Sequence, residues 1–409
     1  MYILEFLKGA AQQRSDETIR VEHRLLCSGE LYNRCVLTHD WRKSDITRVL
    51  LREPCELFVA SRPFDAYPQE LCIRLALPYA TEQDGDGNRN FSAMRTFLPD
   101  DEVVEDICSI LSLLSRRLIS PHAKVRELHP EVPERKSLFG SYESDIPLAI
   151  AANRRGATWQ SRPATVITSF HGQEVIDNAP PPVGVDDGAL AKFLQNLPAA
   201  AAARQIVSAC RLYRTALELI EARADIAYQL LISTVETLAG AALAKFEPQK
   251  AEKLATKAAV QQQAKTFGLD ENQANALALL ACQGMSWTKR KFAKFLMDRL
   301  SPADLAAKDA VFMLPEHFCP SADDTEKALG LVYSARSGNL HGGLGFPATV
   351  GIGTSPYIHF RQMPLNPLKP PEIPPAAWFE RLVSVAARKF LMEQTDISAA
   401  PFIEHGSQH

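Results

Sequence analysis

Apolar positions change rhythm near the middle of the chain. In the first half they come in short runs bounded by Pro, Asp or Gly. Glu56 to Ala60 (ELFVA), Leu71 to Leu77 (LCIRLAL) and Ala164 to Phe170 (ATVITSF) are rich in β-branched or aromatic residues and predict strands. One helix is predicted there, from Asp101 to Leu118. Asp100 or Asp101 is its candidate cap, and Val104, Ile107, Cys108, Leu111 and Leu114 recur at helical spacing. Asp84 to Asn90 (DGDGNRN) predicts an exposed turn. From Ala189 to Leu340 the chain is rich in Ala, Leu, Gln, Glu and Lys and nearly free of proline, which predicts a helical domain. Helices are expected near 189–197, 202–220, 222–245, 248–267, 271–283, 287–299 and 323–340, with a last one at 376–393. The core-facing stripes are Ala227, Leu230, Leu231, Val235 and Leu238 on one of them, and Ala328, Leu331, Val332 and Ala335 on another. Thr349 to Ile352 predicts a short strand before the proline-rich stretch Pro364 to Pro375.

Between the two rhythms lies Ala179 to Val183 (APPPV), which can continue neither a helix nor a central strand. The expected fold class is therefore an α+β N-terminal domain, residues 1–183, followed by an all-α helical bundle, residues 184–395, and a tail, 396–409. A length of 409 residues suits two domains. An apolar fraction of 46% with 23% charged residues excludes global disorder. The formal net charge of -3 excludes a protein that coats nucleic acid non-specifically, so any nucleic-acid site needs a local basic patch. The 8 cysteines form no CxxC pair and no zinc-ligand spacing, and they read as reduced and mostly buried. No run approaches the ~20 apolar residues of a membrane span, and the N-terminus (MYILEFLKGAAQQRSDE) lacks a basic leader, so a cytoplasmic protein is expected.

Candidate chemistry sits in Leu331 to Gly343 (LVYSARSGNLHGG), which places Arg336 and His341 in an Arg-x4-His spacing at a helix end followed by Gly-Gly. The spacing alone is weak, because Arg34 with His39 and Arg117 with His122 repeat it elsewhere. Context separates the third pair: it ends an amphipathic helix, and upstream Ala216 to Gly240 (ALELIEARADIAYQLLISTVETLAG) supplies a long helix with Glu236 near its end. The VETLAG helix and the RSGNLHGG helix end resemble the HEPN superfamily, in particular the Apea-like HEPN domains, over some 150–200 residues of the C-terminal half. The resemblance implies a helical bundle that dimerises, with Arg336 and His341 of each copy meeting at the cleft to cut RNA without a metal. It also implies a toxin-like or anti-phage defence role. The position after the arginine is often Asn, Asp or His in active members; here it is Ser337.

The residue types suit that chemistry on their own account. Cleavage by the RNA 2′-hydroxyl needs a base for that hydroxyl and an acid for the leaving oxygen, and His moves a proton most readily near neutral pH. Arg carries a permanent charge and can grip two phosphate oxygens. One His does not easily serve in both roles, and a two-fold dimer supplies a second. Positions five apart lie about 140° apart around a straight helix, so either Gly338 loosens the last turn or the Arg of one copy meets the His of the other. Glu236 is a candidate to orient Arg336, and Ser337 and Asn339 are candidates to bond RNA. Lys289, Arg290, Lys291 and Lys294, interleaved with Trp287, Phe292 and Phe295, are candidates for the phosphate backbone and stacked bases. Bland readings stand beside each: Arg336 as a bundle salt bridge, His341 as a helix cap, Glu236 as a solvated helix-end charge, and the aromatics as core. No GxxxxGK[ST], GxGxxG, HExxH or GxSxG occurs, and no cofactor or metal is expected. The expected partners are RNA and a second copy through the helical domain, with no membrane. The N-terminal domain's ligand is open. The alternative to an endoribonuclease is a non-catalytic HEPN module for dimerisation or for binding RNA or a nucleotide.

Overall fold

The structure is a computed structural model and describes residues 2–10, 18–29, 31–33, 49–59, 69–83, 89–96, 99–129, 132–135, 183–247, 250–284, 288–307, 319–342, 345–351 and 373–404. The N-terminal region is mixed α+β and the C-terminal region is predominantly helical. The first region contains α1 (Tyr2–Ala10), β1 (Thr18–Cys27), β2 (Leu31–Asn33), β3 (Val49–Leu51), β4 (Glu56–Val59), β5 (Gln69–Gln83), β6 (Arg89–Thr96), α2 (Asp100–Ser115), β7 (Ile119–His129) and β8 (Val132–Arg135). A sheet of order β3-β4-β5-β1-β7-β8 is antiparallel throughout, and β6 pairs with the far end of β5. The expected strands at Glu56 and Leu71 are present. The one at 164–170 lies outside the described residues, as do 84–88 of the expected turn, and Arg89 and Asn90 already belong to β6.

Alternation on β5 buries Leu71, Ile73, Leu75 and Leu77 completely, and α2 lies against the sheet. The stripe predicted on α2 is buried, but so is the rest of the helix from Ile107 to Ser115, because a helix of the second region, Ala203–Leu219, covers its other side. Its serines are tolerated there because their hydroxyls bond back one turn, Ser112 Oγ to Cys108 O at 2.7 Å and Ser115 Oγ to Leu111 O at 2.7 Å. The expected cap is corrected. Pro99 precedes the first turn, and no side chain caps the helix. Asp100 is drawn instead to His23 Nε2 at 2.8 Å and Lys124 Nζ at 3.1 Å, which offer stronger, charge-assisted partners than a backbone N–H.

This cluster has a measurable consequence. Burial alone would raise the Asp100 carboxyl, but the His23 hydrogen bond and the Lys124 charge outweigh it and hold the pKa at about 2, below the ordinary 3.8. A depressed carboxylate contributes stability that is complete above the ordinary value and lost as pH falls through the folded one. Wild type is therefore expected to lose its stability advantage over Asp100→Asn as pH drops from 3.8 to about 2, read from denaturant midpoints at a series of pH values. A gap between the two proteins that does not change over that window would show that the cluster is not linked to folding.

The second region begins with β9 (Val183–Val185) and continues as α3 (Asp187–Asn196), α4 (Ala203–Leu219), α5 (Ala224–Ala242), α6 (Lys250–Thr266), α7 (Glu271–Gly284), α8 (Thr288–Met297), α9 (Pro302–Ala306), α10 (Thr325–Gly342), α11 (Ala376–Thr395) and β10 (Phe402–Glu404). The expected helices are present within about three residues at each end. Other features differ: α9 was not expected, and β9, a middle strand, begins at Val183, in the segment read as unable to continue a central strand. Residues 349–351 of the expected strand form part of a 3-10 turn, Ala348–Gly351. Leu331 of the expected α10 stripe is 42% exposed, and Leu329 takes the core position beside Ala328 and Val332. Phe402–Glu404, in the segment read as a tail, is a strand. β9 is the middle strand of a three-stranded sheet, parallel to β2 and antiparallel to β10.

The buried apolar residues of both regions form one continuous cluster, from Ile3 through α2, α4, α5 and α11 to Phe402. A buried polar group spans it: Arg116, at φ 54° after α2, donates from Nη2 to Glu380 Oε2 of α11 at 2.6 Å, and Tyr213 of α4 donates to Glu380 Oε1. Arg117 is as deeply buried, against Gly29, where a Cβ would come within 2.6 Å of its Cδ. Burial raises the thiols of Cys27 and Cys55 to about 12 and pushes Cys108 and Cys210 up as well, so these cysteines are inert. No helix among the described residues is long and apolar enough to cross a membrane.

Candidate active site on the last bundle helices

Helix α10 packs at the edge of the bundle against α5 and α8 only, among substantial neighbours in the described residues. Ala328, Leu329 and Val332 seat it, which turns the next positions of the same face, Tyr333, Arg336 and Asn339, onto α5. Arg336 Nη2 lies 2.8 Å from Glu236 Oε2, and both side chains are largely but not fully covered, at 23% and 16% exposed. Tyr333 donates to the other oxygen, Glu236 Oε1, at 3.0 Å. The Arg336 guanidinium stands 5.8 Å from the Tyr333 ring centroid. One turn of α10 further on and two turns back along α5, Gln229 Nε2 donates to Asn339 Oδ1 at 2.6 Å. α5 and α10 therefore run antiparallel, joined by a polar ladder.

Glu236, expected as a neighbour of Arg336, is thus its direct partner, and Asn339 faces α5. Ser337 is exposed on the other side of α10. Burial first, then the Glu236 charge and hydrogen bond, raises the Tyr333 hydroxyl, against smaller effects of Arg336 and a Thr288 hydrogen bond. Tyr333 therefore stays a donor. Tyr333 went unnoticed in the sequence, although a residue three before an arginine on a helix shares its face.

α10 is an unbroken helix across Gly338, so the loosened last turn, one of the two alternatives open in the sequence, does not occur. His341 lies in that last turn; its side chain is outside the described residues. Of the rival Arg-x4-His pairs, Arg34 and His39 are outside the described residues. Arg117 is buried, and His122 lies on β7.

The basic helix α8 separates its two faces. Phe292 and Phe295 are fully buried, Phe292 against Tyr333 at 5.3 Å between ring centroids and Phe295 against Phe390 at 5.6 Å. Of the two readings of these rings, the structure shows the core one and not base stacking: α8 needs Phe292 and Phe295 for its own seat in the core. Trp287 lies outside the described residues. Lys289, Arg290 and Lys294 are exposed and Lys291 is half-buried. Lys289 Nζ reaches Ser334 Oγ of α10 at 3.0 Å, two residues from Arg336, while Lys294 pairs with Asp298 at 3.0 Å. The start of α8 thus brings a cation to α10 at Ser334, about 200° round the helix from Arg336. Lys294, five residues on, is engaged along its own helix.

A second polar cluster, His23 with Asp100 and Asp101, has a donor set for a metal ion. Its two ring nitrogens face different carboxylates, Asp100 at 2.8 Å and Asp101 at 3.9 Å, and the Lys124 ammonium shares the Asp100 oxygen. That arrangement suits a hydrogen-bonded brace between β1 and α2 better than a cation. Comparison with protein-family models, with curated proteins and with solved structures gives no match.

Proposed function

We propose that the C-terminal region is a HEPN-like bundle and that the chain is a metal-independent endoribonuclease acting through Arg336 and His341. The observation that carries the reading is the Glu236–Arg336–Tyr333 group. A permanently charged guanidinium is held in place from a neighbouring helix, at a partly open edge, one and a half turns before a histidine on the same helix. A site for a phosphate needs further cations, and Lys289, Arg290 and Lys291 lie on α8, which packs against α10.

In this reading the 2′-oxygen attacks phosphorus, the bond to the 5′-oxygen breaks, and a cyclic phosphate forms. One His341 imidazole takes the 2′-hydroxyl proton, and the protonated His341 of a second copy returns one to the 5′-oxygen. Arg336 offsets the charge that builds on the phosphate oxygens. Lys289, Arg290 and Lys291 hold the flanking backbone. A toxin-like or defence role follows only by analogy with the family it resembles.

The test uses purified full-length protein, labelled single-stranded RNA and EDTA. Cleavage should survive chelation, vanish when the susceptible nucleotide carries a 2′-deoxy sugar, and disappear in His341→Ala. Cleavage undiminished by either change removes the assigned chemistry. RNA that is retained on the protein but left intact by wild type and variant alike favours the second reading, a binding module. The atypical Ser337 points that way.

A further inference from the structure

A carboxylate can hold an arginine in two ways. It can grip two guanidinium nitrogens in parallel, a strong pairing that occupies the edge a phosphate needs. It can instead touch one nitrogen and leave the rest. Glu236 does the second. Its Oε2 lies 2.8 Å from Arg336 Nη2, while its Oε1 takes the Tyr333 hydroxyl at 3.0 Å. Arg336 has no other ion pair among the described residues. We infer that Tyr333 is a positioning residue: its hydroxyl draws Glu236 away from a two-point grip on Arg336 and so keeps the guanidinium available to an RNA phosphate. The inference rests on the role proposed for Arg336 and concerns what keeps that arginine usable.

Three helices set this geometry. Tyr333 and Arg336 are three residues apart on α10 and share the face turned to α5. One carboxylate from α5 therefore meets two partners a helical turn apart, and it spans them instead of lying edge-on to either. A carboxylate turns easily about its last bond unless both oxygens are held. Here both are. Tyr333 is itself fixed from α8. Thr288 hydrogen-bonds to its hydroxyl, and its ring packs on Phe292 at 5.3 Å between centroids. Burial and the Glu236 charge raise the hydroxyl above its ordinary value, so it remains protonated and able to donate. The ring also keeps the guanidinium close, at 5.8 Å from its centroid.

Removing the hydroxyl while keeping the ring releases one carboxylate oxygen. In Tyr333→Phe, Glu236 is free to turn that oxygen to Arg336 and close the two-point pair. The ion pair then becomes stronger and the arginine less available. A brace gives the opposite sign. If Tyr333 only ties α10 to α5, losing its hydroxyl loosens the site, and a further change at Glu236 loosens it more. If Tyr333 restrains Glu236, removing the carboxylate's grip in the same chain restores the site. Glu236→Gln removes it, because an amide has one oxygen and its NH2 cannot accept.

The experiment compares full-length wild type, Tyr333→Phe, Glu236→Gln and the double variant by two readouts. The first is cleavage of labelled single-stranded RNA in EDTA. Tyr333→Phe should lower kcat about 10-fold, a partial form of the loss expected when a donor to the phosphate is removed, with KM changed less and the melting temperature unchanged. The double variant should return to the rate of Glu236→Gln alone. The second readout is binding of an all-deoxy strand of the same sequence, which lacks the attacking hydroxyl. The slope of log affinity against log salt should fall by about 0.7 in Tyr333→Phe, the contribution of one phosphate on a single strand, and recover in the double variant. A wild type that leaves RNA intact while the binding slopes keep this order removes the ribonuclease reading and supports the inference. A loss of rate that the double variant keeps or deepens makes Tyr333 a brace and overturns the inference, leaving Arg336 its role. Equal binding slopes in wild type and Tyr333→Phe overturn it whatever the rates, and with no cleavage in any sample the ribonuclease reading falls as well.

Discussion

Glu380→Ala is expected to destabilise the fold by about 3–5 kcal/mol, the usual cost of breaking a buried ion pair by removing one partner. Glu380 is 1% exposed and Arg116 3%, so neither charge can turn to water when the other is lost. Arg116 is also held at φ 54°, a left-handed conformation that non-glycine residues adopt at a cost and that its carboxylate partner helps to retain. Tyr213 would lose its acceptor as well. Its hydroxyl, whose pKa burial and the Glu380 charge push well above the ordinary value, remains protonated and would be left with a buried donor. The control is the double variant Arg116→Met/Glu380→Met. Replacing both charges by apolar groups of similar volume should recover most of the loss. Denaturant midpoints of the two single variants and the double one measure the coupling directly. A Glu380→Ala protein as stable as wild type would mean that Arg116 finds other compensation, and the pair would cease to be the link between α2 and α11.

Arg336→Ala is expected to slow RNA cleavage about 10²–10³-fold, the scale seen when one donor to a developing phosphoryl or acyl oxyanion is removed. Glu236→Gln should cost much less. With its one carbonyl oxygen turned to Arg336 the amide still accepts from the guanidinium, which keeps its place while losing its counter-charge, and its NH2 faces the Tyr333 hydroxyl, which can accept from it. The ordering separates a catalytic guanidinium from a structural one. If Arg336 only braces α10 to α5, breaking the brace from either side should affect cleavage and stability together. If it serves the phosphate, Arg336→Ala should fall far below Glu236→Gln in rate, with similar melting temperatures. Equal loss of activity in the two variants would assign Arg336 to bundle packing.

The helical region was legible because its chemistry is local. Ala, Leu, Gln and Glu fill 203–219 and 224–242, proline is nearly absent, and the stripes on these helices need no distant partner to be recognised. The N-terminal region hid more. β1 carries Arg20, Glu22, His23 and Arg24, and read alone it lacks the apolar run of a strand. Those charges are satisfied at long range: Glu22 by Arg74 across the sheet at 2.5 Å and His23 by Asp100 at 2.8 Å. A strand whose polar residues find partners some fifty or more positions away has no local signature. The same reason explains the missed cap of α2 and the misread side of α10, where Leu329 rather than Leu331 meets the core. In the candidate site, Arg336 and Glu236 could be paired from their helices, but the hydroxyl of Tyr333 completing the group depends on how α10 is rotated, which core packing sets.

The small sheet β2-β9-β10 carries a consequence for the order in which the molecule assembles. Leu31 stands opposite Val183, and Val185 opposite Phe402, so its three strands come from near the beginning, the middle and near the end of the chain. During synthesis β9 can meet β2 as soon as it leaves the ribosome, yet its other edge stays open until Phe402 has been made. An unpaired strand edge is a template for the wrong partner. Closure must also await contacts of very long sequence separation, the slowest kind to form. A nascent chain shortened before Phe402 would thus expose the β9 edge for as long as it existed, and the strand at Phe402 acts as the latch on a structure already mostly built.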